Sequence, residues 1–184
     1  MLAKEMVKQS LPLIIFCGIG AILAGSTLGA MKDLISEVPG LIVIIPAIIA
    51  MRGNISTAFG SRLGSAYHLG VINADNMWND ELKENIKGSL FLSFFVSIII
   101  GILAYFTSII LRIYPDPLKI ILIVMIAGLI SAIILTLLTI VIIFLVFKRG
   151  YDPDNITGPA LATFGDIVTM LCIFGSGILV EALL

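Results

Sequence analysis

The chain has 184 residues, of which 59% are apolar and 12% charged, against about 25% charged in an average soluble domain; so few charges cannot make a water-facing surface. Eleven Lys and Arg against twelve Asp and Glu leave a net charge of −1, which excludes a nucleic-acid-binding patch or an acidic tail. Cys17 and Cys172 both lie inside apolar runs, so neither a disulfide framework nor a cysteine-based zinc site is expected, and both read as small packing residues.

Three charge-free intervals set the class: 9–31, 88–111 and 120–147. Each is long enough to cross a hydrocarbon layer about 30 Å thick at about 1.5 Å per residue. Two further apolar stretches, 38–74 and 155–180, carry polar interruptions. The expected fold class is therefore an all-α polytopic membrane protein with five transmembrane helices in a single membrane domain over 1–184.

In chain order, the first helix is expected over 10–31, opened by Pro12. Lys4 and Lys8 ahead of it suggest a signal peptide, but the apolar run is roughly twice a usual h-region, so it reads as an uncleaved span. The second helix is expected over 39–69, preceded by Pro39 and bent at Pro46. The third and fourth, 87–112 and 118–147, are separated by Pro115 and Pro117, and Pro153 and Pro159 introduce the fifth, 157–181. With a cytoplasmic N-terminus, that side gathers Lys4, Lys8, Lys83, Lys87, Lys148 and Arg149, against Lys32, Arg112 and Lys119 on the other. The bias predicts an N-terminus inside, a C-terminus outside and the acidic 70–86 loop in the cytoplasm, and the expected location is the plasma membrane.

The two interrupted helices carry the chemistry. In the second, steps of about 100° place Asn54, Thr57, Ser61, Ser65 and His68 on one stripe. Small and hydroxyl residues at that spacing serve close helix packing or line a water or ion path. Gly53 beside Asn54 favours the path, because glycine can bare backbone carbonyls that side-chain oxygens supplement. His68, the only histidine, reads as interfacial rather than as a metal ligand.

In the fifth helix, Gly158, Ala162, Asp166, Thr169 and Ile173 share one face, while Leu161, Phe164, Val168, Leu171 and Phe174 take the opposite one. Asp166 is an acid within a span, so it should face the bundle interior or water and mark an ion path. The competing reading is a buried salt bridge to Arg52 or Arg62. The small residues on either side of Asp166 favour a hydrated cation, which needs an open approach where a salt bridge does not. An intramembrane aspartyl protease using Asp152 and Asp166 is a rival, as is a non-transporting structural subunit. The protease reading suffers because a dyad needs two acids on adjacent helices, and these two are close in sequence, with only a loop and two prolines between them. No metal-hydrolase, Ser/His or phosphate-loop motif is present, so no enzymatic activity is expected.

The segment Pro46-x5-Arg52-Gly53-Asn54, continuing to Ser61-Arg62-Leu63, and the segment Asp152-Pro-Asp-Asn155-x3-Pro159-x3-Thr163-x2-Asp166 together resemble the MgtE-type magnesium channel family, most closely its solute-carrier branch. The resemblance implies a pore between two copies of the domain, lined by the second and fifth helices, and hence a homodimer. It implies Asp166 as the pore acid and Ala162 as a neighbouring carbonyl donor. Bacterial members carry an asparagine where this chain has Gly158, and Asn155, one turn earlier, offers a substitute. The sensor domain of bacterial members is not expected here. The implied cargo is a divalent cation, Mg²⁺ foremost, bound by Asp166, Ala162, Asn54, Asn155, Gly158, Gly53, Thr169, Thr57 and Ser61. This agrees with the chemistry of Mg²⁺, which keeps several waters and takes one or two carboxylates.

Overall fold

The computed structural model describes residues 3–72, 78–149 and 153–184, and among them every regular element is helical. Helix α1 spans Ala3–Ala30, α2 Lys32–Glu37, α3 Leu41–His68, α4 Asp80–Ile110, α5 Pro117–Lys148 and α6 Pro153–Leu183. Five of these, all except α2, are long and apolar enough to cross a membrane.

Three departures from the expected elements have local causes. Helix α4 starts at Asp80, not 87, because Asn79 caps it: its Oδ1 accepts the Leu82 N–H at 3.0 Å while its Nδ2 donates to the Val71 carbonyl at 2.7 Å. Asp80 and Glu81 then face the positive end of the helix dipole, and Lys83–Asp80 and Lys87–Glu84 pairs at 3.0 and 2.6 Å line the wet first turns. Pro12 lies inside α1, not at its start, since the residues from Ala3 to Gln9 are mostly good helix formers. The short α2 fills what reads as a loop, held by buried Met31 and Leu34. Leu34 rests on Gly177 of α6, where an added Cβ would come within 2.5 Å of its Cδ2.

Gly40 starts α3 with φ +89°, a left-handed conformation that favours glycine. Asp116 caps α5 by accepting the Leu118 and Lys119 N–H groups at 2.8 and 3.2 Å, with Pro117 in the first turn. Pro46 and Pro159 sit within unbroken helices.

Helix α5 packs against α3, α4 and α6, and α6 additionally takes α1 and α3, so α1 hangs on the bundle chiefly through α6. The main apolar core joins Met31, Leu41, Ile48, Ile123 and Ile173, and a smaller one surrounds Phe59, Leu63, Leu82 and Ile143. At one end the rings of Tyr67 and Phe147 stack 3.6 Å apart, with His68 edge-on to Phe147. At the other, Lys119 and Glu181 pair at 2.8 Å and tie the start of α5 to the end of α6.

Small residues let these helices approach. Ser89, Ser93, Ser97, Gly101, Ala104 and Ser108 form the buried seam of α4, and Ser97 sits directly against Gly128 of α5. The hydroxyls of Ser93, Ser97 and Ser108 each donate to the carbonyl four residues back, at 2.6 to 2.8 Å, and so bring no unmet polar group into the seam.

At Gly128 a methyl group would strike Ser97, whereas at Gly25 it would meet nothing within 4 Å. Gly128→Ala should therefore destabilise the protein by about 1–3 kcal/mol through overpacking, and Gly25→Ala should be neutral or add up to about 1 kcal/mol from helix propensity. Denaturant unfolding in detergent measures both.

Candidate functional site

The polar stripe of α3 faces away from the body of the chain. Asn54, Ser61, Ser65 and His68 are exposed and Thr57 half-buried, while the residues between them, Ile55, Ser56, Phe59 and Leu63, are buried. The segregation follows from the sequence: 54, 57, 61, 65 and 68 recur at helical spacing, and the apolar residues that anchor α3 occupy the other side.

Helix α6 crosses α3 at Gly60, where an added Cβ would lie 3.0 Å from Leu161 Cδ1 and 3.5 Å from Thr157 Cγ2. Beside the crossing, the two helices flank an open cavity of about 370 Å³. Thr57, Ser61, Ser65 and His68 line it from α3, and Thr157 and Gly158 from α6. The Thr157 hydroxyl is buried there without a hydrogen-bond partner. The cavity thus joins Thr57, Ser61 and Gly158, and it adds Thr157, which the sequence pattern did not mark as a site residue. The signal for Thr157 was its position four residues before Leu161, on the side of α6 that meets Gly60.

Asp166 lies two turns further along α6, about 12 Å from Gly158 at helical rise. It is half-buried, and among the described residues it forms no ion pair and no hydrogen bond. Ala162, one turn before it, is exposed. The salt-bridge alternative is not realised. Arg52 Nη2 donates to Ser93 Oγ at 2.5 Å, Arg62 Nε donates to Asn85 Oδ1 at 2.8 Å, and neither arginine pairs with Asp166.

The rest of the expected polar face of α6 divides differently. Thr169 and Ile173 are fully buried, Thr169 with an unpartnered hydroxyl, and Leu161, expected on the opposite face, is fully buried against α3. Helix α6 is covered by α1, α3 and α5, so most of its circumference is interior, and a two-faced reading is too simple. Gly53 is open on its side-chain face, yet α3 runs unbroken through it and its carbonyl accepts the Thr57 hydroxyl at 2.8 Å. It does not bare a carbonyl in the way glycine could. Asn155 belongs to α6, but its side chain, like Asp152 as a whole, lies outside the described residues. Among the described residues no three His, Cys, Asp or Glu side chains cluster as a metal site would require, so a single chain offers one acid, hydroxyls and an open polar face.

Comparison with known proteins supplies the context. The profile of the MgtE family, described as a divalent cation transporter, matches residues 45–176. Solute carrier family 41 member 2 from Xenopus laevis is 28% identical over 175 residues, covering 90% of this chain and 30% of that protein. The protein of the same name from Homo sapiens gives the same identity and coverage. Solute carrier family 41 member 3 from Rattus norvegicus is 26% identical over 166 residues, covering 85% of this chain and 35% of that protein. The chain spans about a third of the length of these relatives.

Because Asp166 has no cationic partner among the described residues, Asp166→Asn should leave folding intact, with unfolding free energy in detergent within about 1 kcal/mol of the parent. A loss of about 3 kcal/mol, as when a buried ion pair is broken, would contradict this geometry.

Proposed function

The chain belongs to the MgtE family of divalent cation transporters, and on that premise we propose that it carries divalent metal cations, Mg²⁺ foremost, across the plasma membrane through a pore between two copies. Helices α3 and α6 line that pore. Asp166 is its main cation site, supplemented by the Ala162 carbonyl, Asn54 and Asn155. Thr57, Ser61 and Gly158 line the path and Gly53 borders it, while Thr169, fully buried, stands behind its wall.

The observation that carries this reading is the outward-facing polar stripe of α3 beside the exposed Ala162 and half-buried, unpartnered Asp166. In a bilayer, polar side chains facing lipid are costly, and a carboxylate within a span turns to protein or to water. A second copy related by a twofold axis would cover this face and convert each open cavity into half of a wet passage. Two Asp166 carboxylates would then offer about −2 to a +2 ion. A cavity walled by hydroxyls suits Mg²⁺, which sheds its waters reluctantly and can be held through them. The same family membership speaks for transport and against enzymatic activity.

In liposomes containing only this protein, Mg²⁺ influx should be present in the parent and fall at least about tenfold in Asp166→Asn with the protein still folded, since the variant loses the charge that stabilises the ion. Asn54→Ala, which removes a neutral dipole, should reduce flux by a smaller factor. Unaltered flux in Asp166→Asn would overturn the assignment.

The pairing has its own test. With Cys17 and Cys172 replaced, Ala162→Cys should form a disulfide-linked dimer across the axis. Cysteines placed in the 78–85 segment should be labelled only from the cytoplasmic side, as the distribution of basic residues requires.

A further inference from the structure

Arg52 is the largest fully buried side chain among the described residues, 1% exposed. Its Nη2 reaches one neutral hydroxyl, Ser93 Oγ, and its Nε has no partner. No carboxylate among the described residues lies within 4 Å. A permanent positive charge thus sits in the bundle interior with no counter-charge beside it. Such placement is expensive and, within a membrane span, marks a functional role.

Its position on α3 suggests what the role is. Residues 52 and 54 are about 200° apart around a helix, so Arg52 points into the bundle while Asn54 is exposed on the opposite side. Only the body of one helix, about 10–12 Å across, separates the guanidinium from the polar stripe. Through that low-dielectric layer the charge is poorly screened by water or salt.

Resting on the pore reading above, we propose that Arg52 is a specificity-determining residue: a fixed positive charge behind the pore wall that limits how tightly cations are held there. A pair of Asp166 carboxylates in a span would bind a divalent ion strongly, and conduction requires binding weak enough for release. Repulsion from Arg52 counters that attraction. It scales with the charge of the ion, so it acts twice as strongly on a divalent cation as on a monovalent one.

The test uses the whole chain in liposomes, with Mg²⁺ flux titrated alone and against K⁺ as a competitor. Arg52→Gln should lower the half-saturating Mg²⁺ concentration at least about fivefold. The inhibition constant of K⁺ should fall by only the square root of that factor, and the maximal rate should fall. Ser93→Asp, which leaves Arg52 in place and sets a carboxylate against it, should act in the same direction and serves if Arg52→Gln does not fold. Arg52→Lys and Ser93→Ala keep the charge and should stay within about twofold of the parent. A packing role for Arg52 would not produce the squared relation between the two ions.

An Mg²⁺ half-saturation unchanged in both Arg52→Gln and Ser93→Asp, or equal factors for Mg²⁺ and K⁺, would overturn the proposal. If Asp166→Asn meanwhile abolishes flux, the failure belongs to the role of Arg52 alone. If Asp166→Asn also transports normally, the pore reading has failed with it.

Discussion

In lipid, a polar group must find its partner within the protein or be given water, and among the described residues this constraint sorts the hydroxyls, with Thr157, Thr169 and Ser176, buried and unpartnered, as the exceptions. Those of Ser93, Ser97, Ser108, Ser131 and Thr139 close on the carbonyl one turn back in their own helices and are buried. They cost the core nothing in unmet hydrogen bonds and permit close approach, as at Ser97 and Gly128. Ser61 and Ser65 stay on the outside of α3, on the stripe shared with Asn54. The same residue types thus serve as packing material in α4 and α5 and as polar surface in α3. What separates them is the neighbouring helix, since α4 presents its serines to α3 and α5.

The charges within the spans are sorted in the opposite sense. Arg52 is turned inward and Asp166 lies at the margin of the bundle, half-buried. Had the two been joined, the polar residues of α3 and α6 would merely have sealed the bundle. Held apart, they leave one negative group at the margin of the bundle and one positive group enclosed within it.

Much of this was legible in the sequence. The charge-free intervals 9–31, 88–111 and 120–147 fall within α1, α4 and α5 apart from their last residue or so, because length without charge leaves few alternatives to a spanning helix. The stripe from Asn54 to His68 emerged on one side of α3 because a helix anchored by one apolar face has its rotation fixed. The faces of α6 were less legible. A helix with neighbours on several sides buries Thr169, Ile173 and Leu161 alike, and no single apolar stripe records which neighbour each residue meets. The start of α4 was missed for another reason: hydropathy marks where a helix enters lipid, while the Asn79 cap marks where it begins. The inward orientation of Arg52 has no signature in composition, since it depends on Ser93, which is distant in sequence.

The attachment of α1 has a consequence for how the chain assembles. Its buried side carries Gly20, against Thr163, and Ala24, and its Cys17 thiol donates to the Pro159 carbonyl at 3.4 Å, so the partners of this seam lie in α6. During synthesis α1 is therefore made long before the surface it fits. It must wait in the bilayer while α3, α4 and α5 are inserted, and its mostly lipid-facing surface, with Ile14, Phe16, Ile22 and Leu23 exposed, suits it to wait alone. Of the five described spans, the one made earliest is then among the last to dock, and it closes the bundle over the helix that carries Asp166.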